Sequence, residues 1–297
     1  MKKAYIVEAV RLPIGKFGGS LKGFMAQDLG SIAIKECVKR SGINPQELNE
    51  IIVGNIMQYD PKGNPGREAA LKAGIPIEIP AFTINKNCGS SMRAISLCTA
   101  LIRVGESDLM MAVGMENMTA CPYLLKKARF GYRMGDGVIY DALTAGLEGM
   151  GMTAERLAEK YNISREEQDE FALSSQQKAS KAIEEGCFEK EIVPVTIKEK
   201  KKEWVFDKDE GVKNTTIEKL SKLRPAFKKG GTVTAGNSST INDSAVAVLL
   251  ASEEKVKELG LKPLAEVISY ASAGCDPDIM GIGPVPATRK ALQNAGM

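Results

Sequence analysis

Histidine is missing altogether from the 297 residues. Ser-His, Cys-His and His-metal chemistry therefore cannot be assembled within this chain alone. No two of the six cysteines (Cys37, Cys88, Cys98, Cys121, Cys187, Cys275) form a C-x-x-C pair, so spacing suggests neither a zinc site nor a disulfide framework, and reduced thiols in a cytoplasm are expected. Apolar runs such as 245–251 are far too short to span a membrane, and the opening Met1-Lys2-Lys3-Ala4-Tyr5 lacks the apolar length of a signal peptide. Neither sign of charge dominates: 40 basic and 37 acidic residues are interspersed and leave a net +3. No global field speaks for nucleic acid, so any anion site must be local. Exact short repeats and low-complexity tracts are also absent.

What is present is the composition of a globular protein, 43% hydrophobic and 26% charged, long enough to bury at least one large core. Short apolar runs at 4–9, 51–56, 81–85 and 108–113 read as strands. Between them, 26–41, 67–73 and 92–104 carry apolar residues at three- and four-residue spacings and read as helices. This alternation predicts an α/β domain with a largely parallel sheet, whose ligands bind beyond the strand carboxyl ends.

From about 116 to 229 the alternation stops. This polar stretch contains a helix opened by the capping box Ser164-Arg165-Glu166-Glu167 and a charged ribbon at 198–210 around Trp204 and Phe206. It reads as an insertion, because the strand-helix pattern resumes at 236–252. A last unit, strand 264–271 and helix 286–295, ends at Met297. One strand and one helix cannot bury a sheet face by themselves, so the chain is expected to be cut short.

The segment Asn85-Lys86-Asn87-Cys88-Gly89-Ser90-Ser91 puts a thiol after a strand and just before a helix. A helix N-terminus there favours a thiolate and offers N–H groups to an oxyanion. The geometry imitates a nucleophile elbow. On these residues alone, Cys88 as a small buried cysteine is an open alternative.

Several further segments occur in an order that resembles the thiolase family. They are Glu8-Ala9-Val10-Arg11, Arg67-Glu68-Ala69-Ala70-Leu71-Lys72-Ala73-Gly74, Asn85 to Ile95, Gly114-Met115-Glu116-Asn117-Met118, Leu223-Arg224-Pro225-Ala226-Phe227, Gly231-Thr232-Val233-Thr234-Ala235-Gly236-Asn237 and Gly283-Pro284-Val285-Pro286. The resemblance covers essentially the whole chain and implies a layered α/β fold of two similar halves. On that pattern 1–115 with 230–253 is the N-terminal domain, 116–229 an inserted loop domain that covers coenzyme A, and 260–297 the beginning of the C-terminal half. It further implies an acyltransferase that condenses two acetyl-CoA molecules to acetoacetyl-CoA plus CoA, or cleaves in reverse, through an acyl thioester on Cys88. Acyl-CoA is then the substrate, with no tightly bound cofactor and no metal, and the expected assembly is a homo-oligomer, dimer or tetramer. A condensing enzyme served by an acyl-carrier protein fits less well because of the long insertion.

By the same resemblance Ser239 lies near the pantetheine, Ala235 and Phe227 line its tunnel, Met150 matches the methionine of a His-Met-Gly motif, and Lys213 stands close to an arginine on the phosphate side. Phe227 and Met150 as plain core residues remain the alternative, as does a merely solvated ribbon for the basic run 198–202. The chain departs from the family where Gly149-Met150-Gly151 replaces His-Met-Gly. The Asn-Glu-Ala-Phe, Gly-His-Pro and Cys-x-Gly-Gly segments, which carry the base, the oxyanion donors and the proton shuttle, do not occur in it. Negligible turnover by this polypeptide alone is therefore expected, with a separate chain supplying those groups. The competing expectation is a catalytically silent paralogue that retains acyl-CoA binding or subunit association.

Overall fold

The computed structural model describes residues 1–59, 63–144, 149–200 and 202–297. Along the chain the strands are β1 (Ala4–Arg11), β2 (Gly15–Lys16), β3 (Glu50–Gly54), β4 (Ala81–Ile84), β5 (Leu109–Asn117), β6 (Tyr123–Leu125), β7 (Ile139–Asp141), β8 (Val195–Glu199), β9 (Lys202–Phe206), β10 (Asn242–Ser252) and β11 (Ala265–Glu266). The helices are α1 (Ala26–Ser41), α2 (Pro65–Lys72), α3 (Ser90–Val104), α4 (Met150–Tyr161), α5 (Arg165–Glu184), α6 (Ile217–Ser221), α7 (Glu253–Glu258) and α8 (Pro284–Asn294). Packing divides the chain into two units, one of residues 1–120, 188–211 and 241–268, the other of 121–187, 212–240 and 269–297.

The first unit is built on a sheet of order β11-β1-β10-β5-β3-β4, with β2 on β10. Among the described strands of this sheet, β5-β3 and β3-β4 pair in parallel, while β10 is antiparallel to both β1 and β5. The expectation of a largely parallel sheet is therefore corrected. The four strands of the alternating region, β1, β3, β4 and β5, do run the same way, as helical crossovers require. β10 arrives after the long excursion from 118 to 241, which imposes no crossover, and it enters the middle of the sheet in the opposite sense.

Alternate residues of the sheet serve opposite faces. Val10, Val53, Met111, Val113, Met115, Ala247 and Leu249 are buried with Leu29, Ala33, Ile34 and Cys37 of α1 and Ala69 and Ala70 of α2. Ala4, Ile52, Met110, Ala112 and Leu250 face the other way, against Ala94, Cys98 and Ile102 of α3. Helix α1 spans the predicted residues and stops where Gly42 takes a left-handed conformation (φ 70°). The predicted strand 264–271 shrinks to the two residues of β11, which pair with Tyr5 and Ile6.

The charged ribbon is a hairpin of β8 and β9. Its inner side chains, Val195, Ile197 and Phe206, join the core with Val193. Arg11 ties this segment to β1: its guanidinium donates to both carboxylate oxygens of Asp209 (2.7 and 2.9 Å) and to Glu191 (2.6 Å), and stacks 5.2 Å from the Phe188 ring. Lys201, part of the basic run, lies outside the described residues.

The second unit holds the β6-β7 hairpin and helices α4, α5, α6 and α8. Ser164 opens α5 as predicted: its hydroxyl accepts from the Glu167 N–H, and the Glu167 carboxylate accepts from the Ser164 N–H. Among the described residues no helix is long and apolar enough to cross a membrane.

Glu210 fixes the loop that follows β2 by accepting from the Lys16 N–H (2.9 Å) and from the Ser20 hydroxyl (2.8 Å). Burial pushes its carboxyl up, but these donors outweigh burial and hold it below the ordinary 4.5. A group whose folded pKa is depressed stabilises above its unfolded value and loses that contribution as pH falls through the folded value. Glu210→Gln should therefore lower the Tm of the protein at neutral pH, and the gap between wild type and variant should close as the pH is taken below 4.5. Thermal melts across that range measure it.

Candidate active site

β4 ends at Ile84, and α3 begins only six residues later at Ser90, with Gly89 as its N-cap. Cys88 thus sits on the turn between them, and it is exposed. This disposes of the reading of Cys88 as a core residue. Cys37 and Cys98 are the buried structural thiols, and burial drives both well above the ordinary thiol range.

The turn is over-determined by polar contacts. Asn87 adopts a left-handed conformation (φ 47°), which asparagine tolerates better than most residues. Its N–H donates to the Asn85 side-chain oxygen (2.9 Å). Ser90 Oγ donates to the Asn87 carbonyl (2.6 Å) and accepts from the Lys86 N–H (2.7 Å). The Gly89 and Ser90 N–H groups are already spent on the carbonyls of Lys86 and Asn87, so neither of these two is an open donor at the helix start.

Two glycines let the helix start sit on the sheet. A Cβ on Gly54, at the end of β3, would fall 2.5 Å from the Ser91 nitrogen. One on Gly114, in β5, would fall 2.1 Å from Ser91 Oγ and 2.8 Å from its Cβ. No side chain fits between, so the backbone of α3 meets β3 at Gly54 and the Ser91 side chain meets β5 at Gly114.

Below the turn lies a carboxylate that the sequence reading did not single out. Glu116 accepts from the Ile56 N–H (2.8 Å), the Met57 N–H (3.1 Å) and the Asn55 side-chain amide (2.9 Å). Burial pushes its carboxyl above the ordinary range, against the pull of the Ile56 and Met57 N–H groups. Asn85 closes the circuit by donating its side-chain amide to the Ile56 carbonyl (3.2 Å).

The remaining candidates lie in the second unit. Met150 opens α4, and the next residue, Gly151, is covered by the Phe227 ring so closely that a Cβ there would lie 2.2 Å from it. Both Met150 (50% exposed) and Phe227 (46%) are well exposed, so neither is a core residue. Ala235 and Ser239 are exposed on the loop after β9 and α6. That loop is clamped by two buried carboxylates. Glu155 of α4 accepts from the N–H groups of Thr232 (2.9 Å) and Val233 (2.8 Å). Asp169 of α5 takes the Arg165 guanidinium (2.8 Å) and the Asn237 amide (2.9 Å). Asn237 in turn accepts from the Thr234 N–H (2.7 Å). Lys213 is exposed, its backbone N–H bound to Gln176 of α5 (2.7 Å). Sequence reasoning missed Glu155 and Asp169; the one signal was the i, i+4 spacing of Arg165 and Asp169 on a helix.

The site thus presents an exposed thiol at the carboxyl edge of a mixed α/β sheet, on a turn fixed by polar contacts. Comparison with known proteins makes this specific. Residues 4–254 match the thiolase N-terminal domain and 261–297 the thiolase C-terminal domain. An acetyl-CoA acetyltransferase of Syntrophomonas wolfei is 49% identical over all of this chain and 77% of its own length. The crystal structure of the Bacillus anthracis acetyl-CoA acetyltransferase superposes with a TM-score of 0.96 at 47% identity, over 100% of this chain and 77% of that one. Human mitochondrial 3-ketoacyl-CoA thiolase in complex with CoA gives 0.95 at 41%, over 100% and 76%. The chain belongs to the thiolase family, and by that membership it is an enzyme.

Gly54→Ala sets a Cβ against backbone rather than against a side chain that can rotate away. It should destabilise the protein by about 1–3 kcal/mol, the usual cost of overpacking. Urea titration measures this, and native iodoacetamide labelling should still spare Cys37 and Cys98.

Proposed function

We propose that the chain is a thiolase-type acyltransferase whose nucleophile is Cys88. Its Sγ attacks the thioester carbonyl of an acyl-CoA, and a new C–S bond forms as the bond to CoA sulfur breaks. The thiol proton leaves with CoA, which departs as the free thiol. In the forward sense a second acetyl-CoA then supplies the carbon nucleophile to give acetoacetyl-CoA, and in the reverse sense CoA cleaves a 3-ketoacyl-CoA. The observation that carries this reading is the exposed thiol on a turn fixed by Asn85, Asn87 and Ser90 at the start of α3, in a chain of this family.

Ser239, Ala235, Phe227, Met150 and Lys213 are proposed as CoA contacts, pantetheine along the first four and phosphate at Lys213. What supports them is exposure together with the clamped loop and the ring seated on Gly151. The CoA-bound human thiolase is similar over the whole chain. On the same reading 116–229 is the inserted CoA-covering region between 1–115 and 230–253, and 260–297 belongs to the C-terminal half; the two family matches part company between 254 and 261. A cytoplasmic homo-oligomer completes the proposal.

The 297 residues hold no histidine, and on this reading the histidine base of the family's full cycle is contributed by a separate chain or segment. The absence equally favours a second reading, a silent relative that keeps acyl-CoA binding or subunit association. Intact-mass analysis after mixing with acetyl-CoA separates the two. The first gives one acetyl adduct, mapped to Cys88 and abolished in Cys88→Ser; an adduct on no cysteine would sink it. Steady-state turnover of acetoacetyl-CoA and CoA by the pure polypeptide should be negligible, each missing acid-base group being worth about a hundredfold or more. Gly151→Ala, which displaces the Phe227 ring, should weaken CoA retention in a binding assay while leaving iodoacetamide labelling of Cys88 unchanged.

A further inference from the structure

The Gly114-Met115-Glu116-Asn117-Met118 segment has no part in the acyl-transfer step described above, yet its two polar side chains are among the most engaged in the first unit. Asn117 donates to the carbonyls of Leu21 (3.1 Å) and Phe24 (2.7 Å) and accepts from the Ala120 N–H (2.8 Å). It therefore pins the loop before α1. Glu116 points its bonds elsewhere. All three of its donors come from residues 55–57, the stretch that leaves β3, and this stretch meets the nucleophile turn through Asn85.

We propose that Glu116 is a positioning residue for the Cys88 turn, acting through residues 55–57 and Asn85. The inference rests on the reading of Cys88 as nucleophile, and its geometry is continuous. The carboxylate takes the N–H of Ile56, and the carbonyl of the same residue takes the Asn85 amide. The Asn85 oxygen takes the N–H of Asn87, whose left-handed backbone immediately precedes Cys88. The Asn55 N–H adds a strand-like bond to the Ile84 carbonyl (3.2 Å). Each link fixes both ends of one peptide group or side-chain amide, so a shift of the carboxylate is passed along and not absorbed. Glutamine is no substitute: it replaces one of two accepting oxygens with an NH₂ group, while the N–H groups of Ile56 and Met57 occupy both oxygens. A nucleophile displaced by about an ångström loses on the order of a hundredfold in reactivity toward a bound substrate.

The test uses the full chain as wild type, Glu116→Gln and Asn85→Ala, the last cutting the same circuit at an exposed residue that does not threaten the core. Two readings are taken on each: acetylation of Cys88 by acetyl-CoA, followed by mass, and amide hydrogen exchange of the peptides covering 55–58 and 85–90. Iodoacetamide labelling of Cys187 and protection of Cys37 and Cys98 serve as internal controls. Both variants should acetylate Cys88 about ten- to a hundredfold more slowly and exchange faster in those two peptides, with the controls unmoved. A general loss of fold would instead expose Cys37 and Cys98. Wild-type acetylation rates in both variants, or unchanged exchange at 85–90 in either, would overturn the positioning role. Absence of any Cys88 adduct in wild type would overturn the nucleophile reading on its own, and the exchange arm still decides whether Glu116 holds the turn. Should Glu116→Gln fail to fold, Glu116→Asp takes its place in both readings: it keeps two accepting oxygens but withdraws them from the Ile56 and Met57 N–H groups, and wild-type acetylation and exchange in it would overturn the role of Glu116.

Discussion

The first unit depends on a steric permission. Helix α3 must bring its first turn against the ends of β3 and β5, and at Gly54 and Gly114 it does so with backbone and a serine side chain where any other residue would intrude. This close seat leaves only five residues between β4 and α3, and a connection that short has no freedom to wander. The polar bonds of Asn85, Asn87 and Ser90 then choose one conformation from the few left. The thiol is exposed because the turn projects from the sheet edge, and it is held because the helix beneath it cannot move outward without giving up the packing of Ala94, Cys98 and Ile102.

The second unit solves a comparable problem by other means. Its candidate ligand-facing loop is not seated on a sheet; Leu220 and Leu223 pack against it at Gly236. Two carboxylates, each 2% exposed, add polar anchors: Glu155 collects backbone N–H groups, and Asp169 is satisfied by Arg165 and Asn237. Buried carboxylates of this kind are tolerated only when their acceptor sites are filled. The two units thus hold exposed side chains on rigid supports in different ways, one by steric contact and one by saturated charge.

Local signals were the legible ones. Helix α1, the capping box at Ser164 and the strand-turn-helix around Cys88 could be read because each is written in consecutive residues with period or cap chemistry. The sense of β10 could not be read, since an antiparallel insertion between β1 and β5 depends on a partner choice made across more than a hundred residues. The short β11 was over-read for a related reason: an apolar run states that a segment is buried or paired, not how much of it pairs. Glu116, Glu155 and Asp169 were invisible because a charged residue in sequence looks like surface until the donors that surround it are known. Family resemblance supplied residues that periodicity had no means of naming, Ser239 and Lys213 among them.

β10 occupies the middle of the sheet but is made after every other strand of it except β11. Ala4 pairs with Ser252, and Leu109 with Ala251. Until synthesis has passed that point, β1 and β5 have a strand-wide gap between them, with unpaired backbone on both sides and two half-built cores. The first unit therefore cannot form from its amino-terminal end as it leaves the ribosome. Its assembly waits on closure of a very long loop, a slow step, and meanwhile the exposed strand edges are open to pairing with other chains.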